Sequence, residues 1–260
     1  MLDERLIKAL HVEALRRTEL HREHEPHVLF QASTIGALLA GAYDGDVSFE
    51  ELAGHGDLGL GTLNALDGEM IAVDGRFYRA DVDGAIHEVS PSAKTPFAVM
   101  VFFTPTAELD LDTALTQEEL LARLDERLPA EAPSWAVRID GSFDSIRARS
   151  VPGQQPPYRP LTEVIADQHV FELRDVAGTL VGFRFPDYSE GIEVSGYHLH
   201  FISEDRSLGG HVLDFRARSV TAQLDPSSDL HVELPPHIDL FAPDLQGSTH
   251  EALRRVEHEG

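Results

Sequence analysis

Residues 66–89 read LDGEMIAVDGRFYRADVDGAIHEV, and this stretch carries the clearest signal for the class of fold. Asp-Gly pairs at 67–68, 74–75 and 83–84 separate short runs in which apolar and polar residues alternate. Asp-Gly is a strong signal for a tight hairpin turn because both residues tolerate a positive φ angle. The stretch therefore predicts a β-meander, in which successive antiparallel strands lie side by side.

The segments on either side of the meander add strands and a few helices. An apolar run at 97–103 is typical of a buried strand. Ser33-Thr34 predicts the start of a short apolar helix, and a capping-box pattern predicts another helix over 116–128. Further strands are predicted at 135–151, 169–174, 179–185, 192–202, 209–216, 219–224 and 230–234. These elements predict an α/β fold of the α+β type, with two closely packed lobes built on mixed and antiparallel β-sheets.

The segment PGQQPPYRP at 152–160 breaks regular structure and marks the best boundary between the lobes. With this boundary we predict four regions of the chain. They are a charged N-terminal arm at 1–27 with an exposed helix over 3–22, an N-terminal mixed-sheet lobe at 28–155, a mainly antiparallel lobe at 156–240, and a tail at 241–260.

The composition limits the classes of partner and site. Lys and Arg total 21 against 45 Asp and Glu, which gives a formal net charge of −24. Such a charge repels nucleic acid and anionic lipid, so an anionic substrate needs positive charge supplied within its own site. The chain has no cysteine, so a metal must be bound by histidine and carboxylate. Because no long apolar segment and no secretory leader is visible, we expect a cytoplasmic protein with no membrane contact.

The sharpest local pattern is GYHLHF at 196–201, followed by GGH at 209–211. Residues i and i+2 of a strand point to the same face, so His198 and His200 can reach one metal ion. A symmetric hairpin about residues 205–206 puts His211 opposite His200. Three histidines with an open fourth position are typical of a catalytic zinc site. A strand without metal is the alternative, and a bulge at 209–210 would shift the register.

Two further groups are candidates for the chemistry. Arg147 and Arg149 both precede the Pro-rich segment, and arginine binds carboxylates through two parallel hydrogen bonds. The residues themselves do not decide between the two arginines. Glu69 begins a strand directly after the turn at 67–68, and its pattern alone indicates no more than a strand-entry carboxylate.

Together these motifs resemble the bacterial α-acetolactate decarboxylase family. The matching segments are LFQASTIGALLAGAYDGDVSFEEL at 29–52, GDLGLGTLNALDGEMIAVDGRFYRA at 56–80, RSVPGQQPPYRPL at 149–161 and EVSGYHLHFISEDRSLGGHVLDF at 193–215. The combination of GLGTLNALDGE, R-x-V-P-x-Q and GYHLHF with GGH is specific, and it extends over most of the chain after residue 28.

The resemblance implies a two-lobed protein with zinc in the cleft between the lobes. It implies zinc bound by His198, His200 and His211. It also implies catalytic roles for Glu69, for Arg149 rather than Arg147, and for Thr62 of the GLGT motif. The tail would return to the site and complete the metal sphere with Glu257, although Glu251 and Glu259 fit the pattern as well.

The reaction implied by the resemblance is the decarboxylation of 2-acetolactate, a 2-hydroxy-3-keto acid, to acetoin and CO2. Zinc would stabilise the enediolate left by the loss of CO2, Arg149 would hold the carboxylate, and Glu69 would deliver a proton. No organic cofactor is implied, and the family suggests a homodimer and the R isomer of acetoin.

Two other functions use the same histidines. A cupin-type dioxygenase or isomerase also pairs His-x-His with a downstream glutamate, and Glu204 lies four residues after His200. A non-enzymatic zinc-binding module would close the metal sphere with protein ligands and leave no position for a substrate.

Overall fold

A computed structural model describes residues 11–14, 26–128, 134–189, 191–227 and 229–234. The strands are β1 His11–Ala14, β2 Val28–Ala32, β3 Val47–Ser48, β4 Leu58–Thr62, β5 Glu69–Val73, β6 Arg76–Ala80, β7 Ile86–Glu88, β8 Lys94–Thr95, β9 Ala98–Val101, β10 Ala107–Leu111, β11 Leu115–Thr116, β12 Ser134–Ser150, β13 His169–Phe185, β14 Gly196–Ser203, β15 Gly209–Ser227 and β16 Asp229–Glu233. The α-helices are α1 Ile35–Leu39, α2 Phe49–Leu52, α3 Gln117–Asp125 and α4 Leu161–Val164. Short 3-10 helices cover Ile165–Asp167 and Asp187–Ser189, and Asn64–Leu66 forms a tight turn whose backbone is not helical at Ala65. None of the helices in these ranges has the length and apolar content that a membrane span requires.

The first sheet has the strand order β1-β16-β2-β9-β4-β5-β6-β7. Its β1, β16 and β2 run parallel to one another, whereas the remaining neighbours are antiparallel. The meander predicted over 66–89 is confirmed as β5 to β7, and β4 continues the same antiparallel order on its other side. Asp74 and Gly75 join β5 to β6 with φ angles of 54° and 72°, the positive values for which this dipeptide is suited.

The second sheet has the order β10-β15-β12-β13-β14, with β11 also paired to β15. Its pairings are antiparallel, and β14 pairs with both β13 and β15. The strands predicted separately at 169–174 and 179–185 form the single strand β13, and those at 209–216 and 219–224 form β15. Both continue through polar residues because β12 pairs with them along nearly its whole length.

The predicted class, mixed and antiparallel sheets with few helices, is confirmed. Each sheet nevertheless contains strands from both sides of the predicted boundary near residue 155. The strands β10, β11 and β12 belong to the second sheet, and β16 belongs to the first. The helix predicted over 3–22 is wrong at 11–14, where β1 pairs with β16. Backbone pairing over more than 200 residues decided that strand, and a local charge pattern carries no information about it.

The largest core lies between the two sheets. One buried cluster contains Ile71 and Val73 of β5 together with Val181 and Phe183 of β13 and Ile202 of β14. Removing one such side chain from water contributes roughly 1.5–3 kcal/mol. The packing therefore holds β5 against β14 and the strand beside it.

Backbone hydrogen bonds also join the sheets next to this core. The Ile86 amide donates to the Ser207 carbonyl at 3.0 Å, and the Gly209 amide donates to the Gly84 carbonyl at 2.9 Å. The loop before β7 is thereby tied to the turn between β14 and β15. This turn lies between the two strands that carry the three histidines.

Helix α3 begins with the predicted capping box. The Thr116 hydroxyl accepts a hydrogen bond from the Glu119 amide at 3.3 Å, and the Glu119 carboxylate accepts one from the Thr116 amide at 2.9 Å. The pair satisfies two backbone N–H groups that have no partner within the helix.

We predict that Thr116→Ala lowers the free energy of unfolding by about 1 kcal/mol, because the Glu119 amide loses its acceptor. Urea unfolding curves measure the difference, with Thr116→Ser as the matched control because serine keeps the hydroxyl. An equal loss of stability in both variants would contradict the capping role.

Candidate metal centre

The three histidines lie on one hairpin with the predicted register. His200 of β14 is directly opposite His211 of β15, and the next pairs are Phe201 with Gly210 and Ile202 with Gly209. The two glycines therefore introduce no bulge here. His198, two residues before His200, points to the same face because side chains alternate along a strand.

The turn of this hairpin is held by its own polar side chains. The Ser203 hydroxyl accepts hydrogen bonds from the Ser207 amide at 3.1 Å and the Leu208 amide at 3.0 Å. It donates to the Asp205 carboxylate at 2.7 Å. Such local bonds fix the turn length, and the turn length fixes which residues face each other across the hairpin.

The imidazole rings surround one small space. Their centroids lie 5.2 Å apart for His198 and His200, 5.0 Å for His198 and His211, and 5.3 Å for His200 and His211. One ligand nitrogen from each ring lies within 4.8 Å of the other two, and all three residues are buried. Metal–nitrogen bonds of about 2.0–2.1 Å fit three donors around a shared centre.

A hydrogen bond orients His200 for metal binding. Its Nδ1 lies 2.8 Å from the Met70 carbonyl oxygen, so Nδ1 carries the proton and Nε2 keeps its lone pair. Metal-binding histidines commonly donate their other ring nitrogen in this way. Burial holds the pKa of His200 well below its usual range, and the charges of His198 and Arg149 lower it further. His200 is therefore in the neutral form that binds metals.

Glu69 and Arg149 lie beside the histidines. One carboxylate oxygen of Glu69 is 3.7 Å from His200 Nε2, and the other is 3.4 Å from a terminal nitrogen of Arg149. Arg149 stands on β12 directly opposite His211. Its Nε makes no hydrogen bond to any of the described residues, although the side chain is only 4% exposed. A buried N–H that has no acceptor among the described residues is suited to an anionic ligand.

Thr62 ends β4 opposite Glu69 on β5. Its hydroxyl donates to the Gly68 carbonyl at 2.7 Å, so it spans the turn that leads into Glu69. Thr62 also lines the cavity described below. The contacts show Thr62 holding the backbone next to Glu69.

The other candidates from the sequence lie elsewhere. Arg147 is exposed on β12, so the structure brings Arg149 and not Arg147 to the histidines. Glu204 is exposed in the turn and does not line the cavity, which removes the glutamate that the cupin alternative needs. Glu257, Glu251 and Glu259 lie outside the described residues.

A small cavity that opens to solvent contains the site. Its polar wall is formed by the histidines with Thr62, Glu69 and Arg149, and its apolar wall by residues that sequence reasoning missed: Ile35, Leu38, Leu66, Phe97, Val151 and Leu161. Both sheets and the helices α1 and α4 contribute. Apolar residues on a cavity wall have the same sequence pattern as core residues, so no local signal distinguishes them.

Known proteins resemble this chain over most of its length. A sequence profile of the α-acetolactate decarboxylase family matches residues 29–246. The α-acetolactate decarboxylase of Methylococcus capsulatus is 47% identical over 235 residues, which cover 90% of each chain. That of Methanosarcina mazei is 45% identical over 230 residues, 88% of this chain and 80% of the relative. The crystal structure of α-acetolactate decarboxylase from Bacillus subtilis strain 168 matches with a TM-score of 0.85 at 38% identity, covering 89% of this chain and 99% of the other.

We predict that His211→Ala reduces the metal content from about one ion per chain to nearly none, because two histidines hold a divalent ion far less well than three. Elemental analysis of the purified protein measures the change. The control is His87→Ala, because His87 is an exposed histidine on β7 outside the cavity. Retention of a full metal complement by His211→Ala would contradict the assignment.

Proposed function

The chain belongs to the α-acetolactate decarboxylase family, and on that premise we propose that it converts 2-acetolactate to acetoin and CO2 with zinc bound by His198, His200 and His211. The observation that carries the proposal is the buried arginine beside the three histidines. Arg149 lines the cavity, and its buried Nε has no hydrogen-bond acceptor among the described residues, in a chain with a net charge of −24. A substrate carboxylate needs such a cation in a chain this acidic.

The reaction sets clear demands on the site. The bond between the carboxyl carbon and C2 breaks, its electron pair stays on the remaining fragment, and CO2 leaves. The electron pair spreads onto the neighbouring ketone oxygen as an enediolate, and addition of one proton to C2 gives acetoin. When bound, zinc supplies a Lewis acid that stabilises this developing negative charge. One proton is consumed in each turnover.

Arg149 orients the carboxylate before it leaves. Two donors on a planar guanidinium hold a carboxylate in a defined plane, and burial strengthens the interaction by excluding water. The contact of Arg149 with Glu69 at 3.4 Å is long for a hydrogen bond, so the guanidinium can turn towards a substrate without losing a strong partner.

Glu69 delivers the proton to C2. Its carboxyl group lies between His200 and Arg149, and the residue is buried on the polar wall of the cavity. A single buried carboxyl group at one side of a planar enediolate protonates one face, which gives a product of one handedness. Thr62 acts by holding the turn at Gly68 that precedes Glu69.

The apolar wall limits access of water. Six apolar residues line the cavity together with the histidines, and exclusion of water strengthens each charge interaction there. The wall also provides an apolar surface for the two methyl groups of 2-acetolactate, which form no hydrogen bonds.

Several features stay predictions. They are completion of the metal sphere by Glu257, with Glu251 and Glu259 as alternatives, the position of the metal in a cleft between lobes at 28–155 and 156–240, the homodimer, the R isomer of acetoin and the cytoplasmic location. Each follows from sequence pattern or family resemblance.

The decisive experiment removes and restores the metal. We expect chelation to abolish acetoin formation from racemic 2-acetolactate and stoichiometric zinc to restore it, with CO2 released under anaerobic conditions. A fully zinc-loaded protein that forms no acetoin would refute the enzyme and favour a zinc-binding module. Bound iron with oxygen consumption would favour an oxygenase.

We predict that Glu69→Gln leaves the zinc content near that of the wild type and lowers kcat about a hundredfold or more, because the amide cannot deliver a proton. Acetoin formation and elemental analysis are measured on the same sample. Glu88→Gln is the matched control, because Glu88 is an exposed glutamate on β7 of the same sheet. Unchanged turnover in Glu69→Gln would eliminate the proton-donor role.

A further inference from the structure

The turn between β4 and β5 has an unusual backbone. Ala65 and Leu66 adopt φ angles of 62° and 53°, in the left-handed region that glycine occupies most easily. Residues with a side chain pay a steric cost there, and branched side chains are uncommon at such positions. The chain nevertheless carries alanine and leucine in succession at this turn.

Surrounding groups hold the turn in this conformation. The Ala65 amide donates to the Tyr43 carbonyl at 2.8 Å, and the Gln154 amide donates to the Ala65 carbonyl at 2.6 Å. The Asn64 side chain makes two bonds of 2.9 Å to the backbone of Gly45, one as acceptor and one as donor. A strained turn persists when its neighbours over-determine it in this way.

The result of this conformation is the position of Leu66. Its side chain is 2% exposed and forms part of the apolar wall of the cavity, between Thr62 and Glu69 in sequence. Glycine would satisfy the backbone of residue 66 at lower steric cost but would leave that part of the wall open. The leucine side chain therefore has a use at this position that offsets its backbone cost.

We propose that Leu66 is a specificity-determining residue, which limits the size of the alkyl substituents on the 2-hydroxy-3-keto acid that the site accepts. The inference rests on the proposed function. The polar wall takes the carboxylate and the two oxygens of the substrate, so its alkyl groups face the apolar wall. Because Asn64 and Ala65 are bonded to Gly45, Tyr43 and Gln154, the backbone next to Leu66 is held in place, and we expect the leucine to resist displacement by a longer chain.

The test compares kcat/KM for 2-acetolactate with that for its analogue bearing ethyl in place of the C2 methyl. We expect the wild type to favour 2-acetolactate by about tenfold or more, the usual effect of one additional methylene in a fitted pocket. Leu66→Ala should reduce this preference about tenfold by opening the wall. Leu66→Gly should do the same while also relieving the backbone, so it protects the test against a folding defect of the alanine variant.

Leu58→Ala is the matched control, because Leu58 is a buried leucine at the start of β4 that does not line the cavity. It should lower stability but keep the wild-type preference. Equal values of kcat/KM for the two substrates in the wild type, or an unchanged preference in the folded Leu66 variants, would overturn the inference. Failure of the proposed function gives a different result, because the wild type then forms no acetoin from 2-acetolactate.

Discussion

The hydrogen bond between His200 Nδ1 and the Met70 carbonyl joins the two sheets at the cavity, and the candidate site depends on it. The bond selects the tautomer of His200 and turns its Nε2 towards the other two histidines. Met70 follows Glu69 directly on β5, so the same bond lies one residue from the Glu69 carboxyl group. One contact therefore relates the three histidines on the second sheet to the carboxyl group on the first.

The site places a positive charge where an acidic chain would otherwise repel an acidic substrate. A net charge of −24 acts against an approaching carboxylate over the whole surface. Arg149, 4% exposed, places a cation inside the cavity, where low dielectric strengthens its attraction and solvent screens it little. Glu69 lies 3.4 Å from this cation, a long distance for a hydrogen bond, so Arg149 forms no tight ion pair with it.

Sequence reasoning succeeded where the structure is local. The register of His200 with His211 follows from a short turn and a period of two residues, and the Asp74-Gly75 turn from the φ preferences of its residues. It failed where distant segments meet. The strand at 11–14 pairs with β16. The strands β13 and β15 each continue through polar residues at which the sequence predicted a break, because both pair with β12, which lies between them.

The sequence by itself singled out His198, His200 and His211 as candidate metal ligands, and with the family pattern it added Glu69 and Arg149 as candidates for the chemistry. Only the tertiary structure decided that these two groups lie beside the histidines, that Arg147 and Glu204 are exposed, and that six apolar side chains complete the cavity. The physical reason is the range of the interactions. Turn and strand periodicity act over a few residues, whereas the wall formed by Leu66, Phe97 and Leu161 exists only once separate elements have packed together.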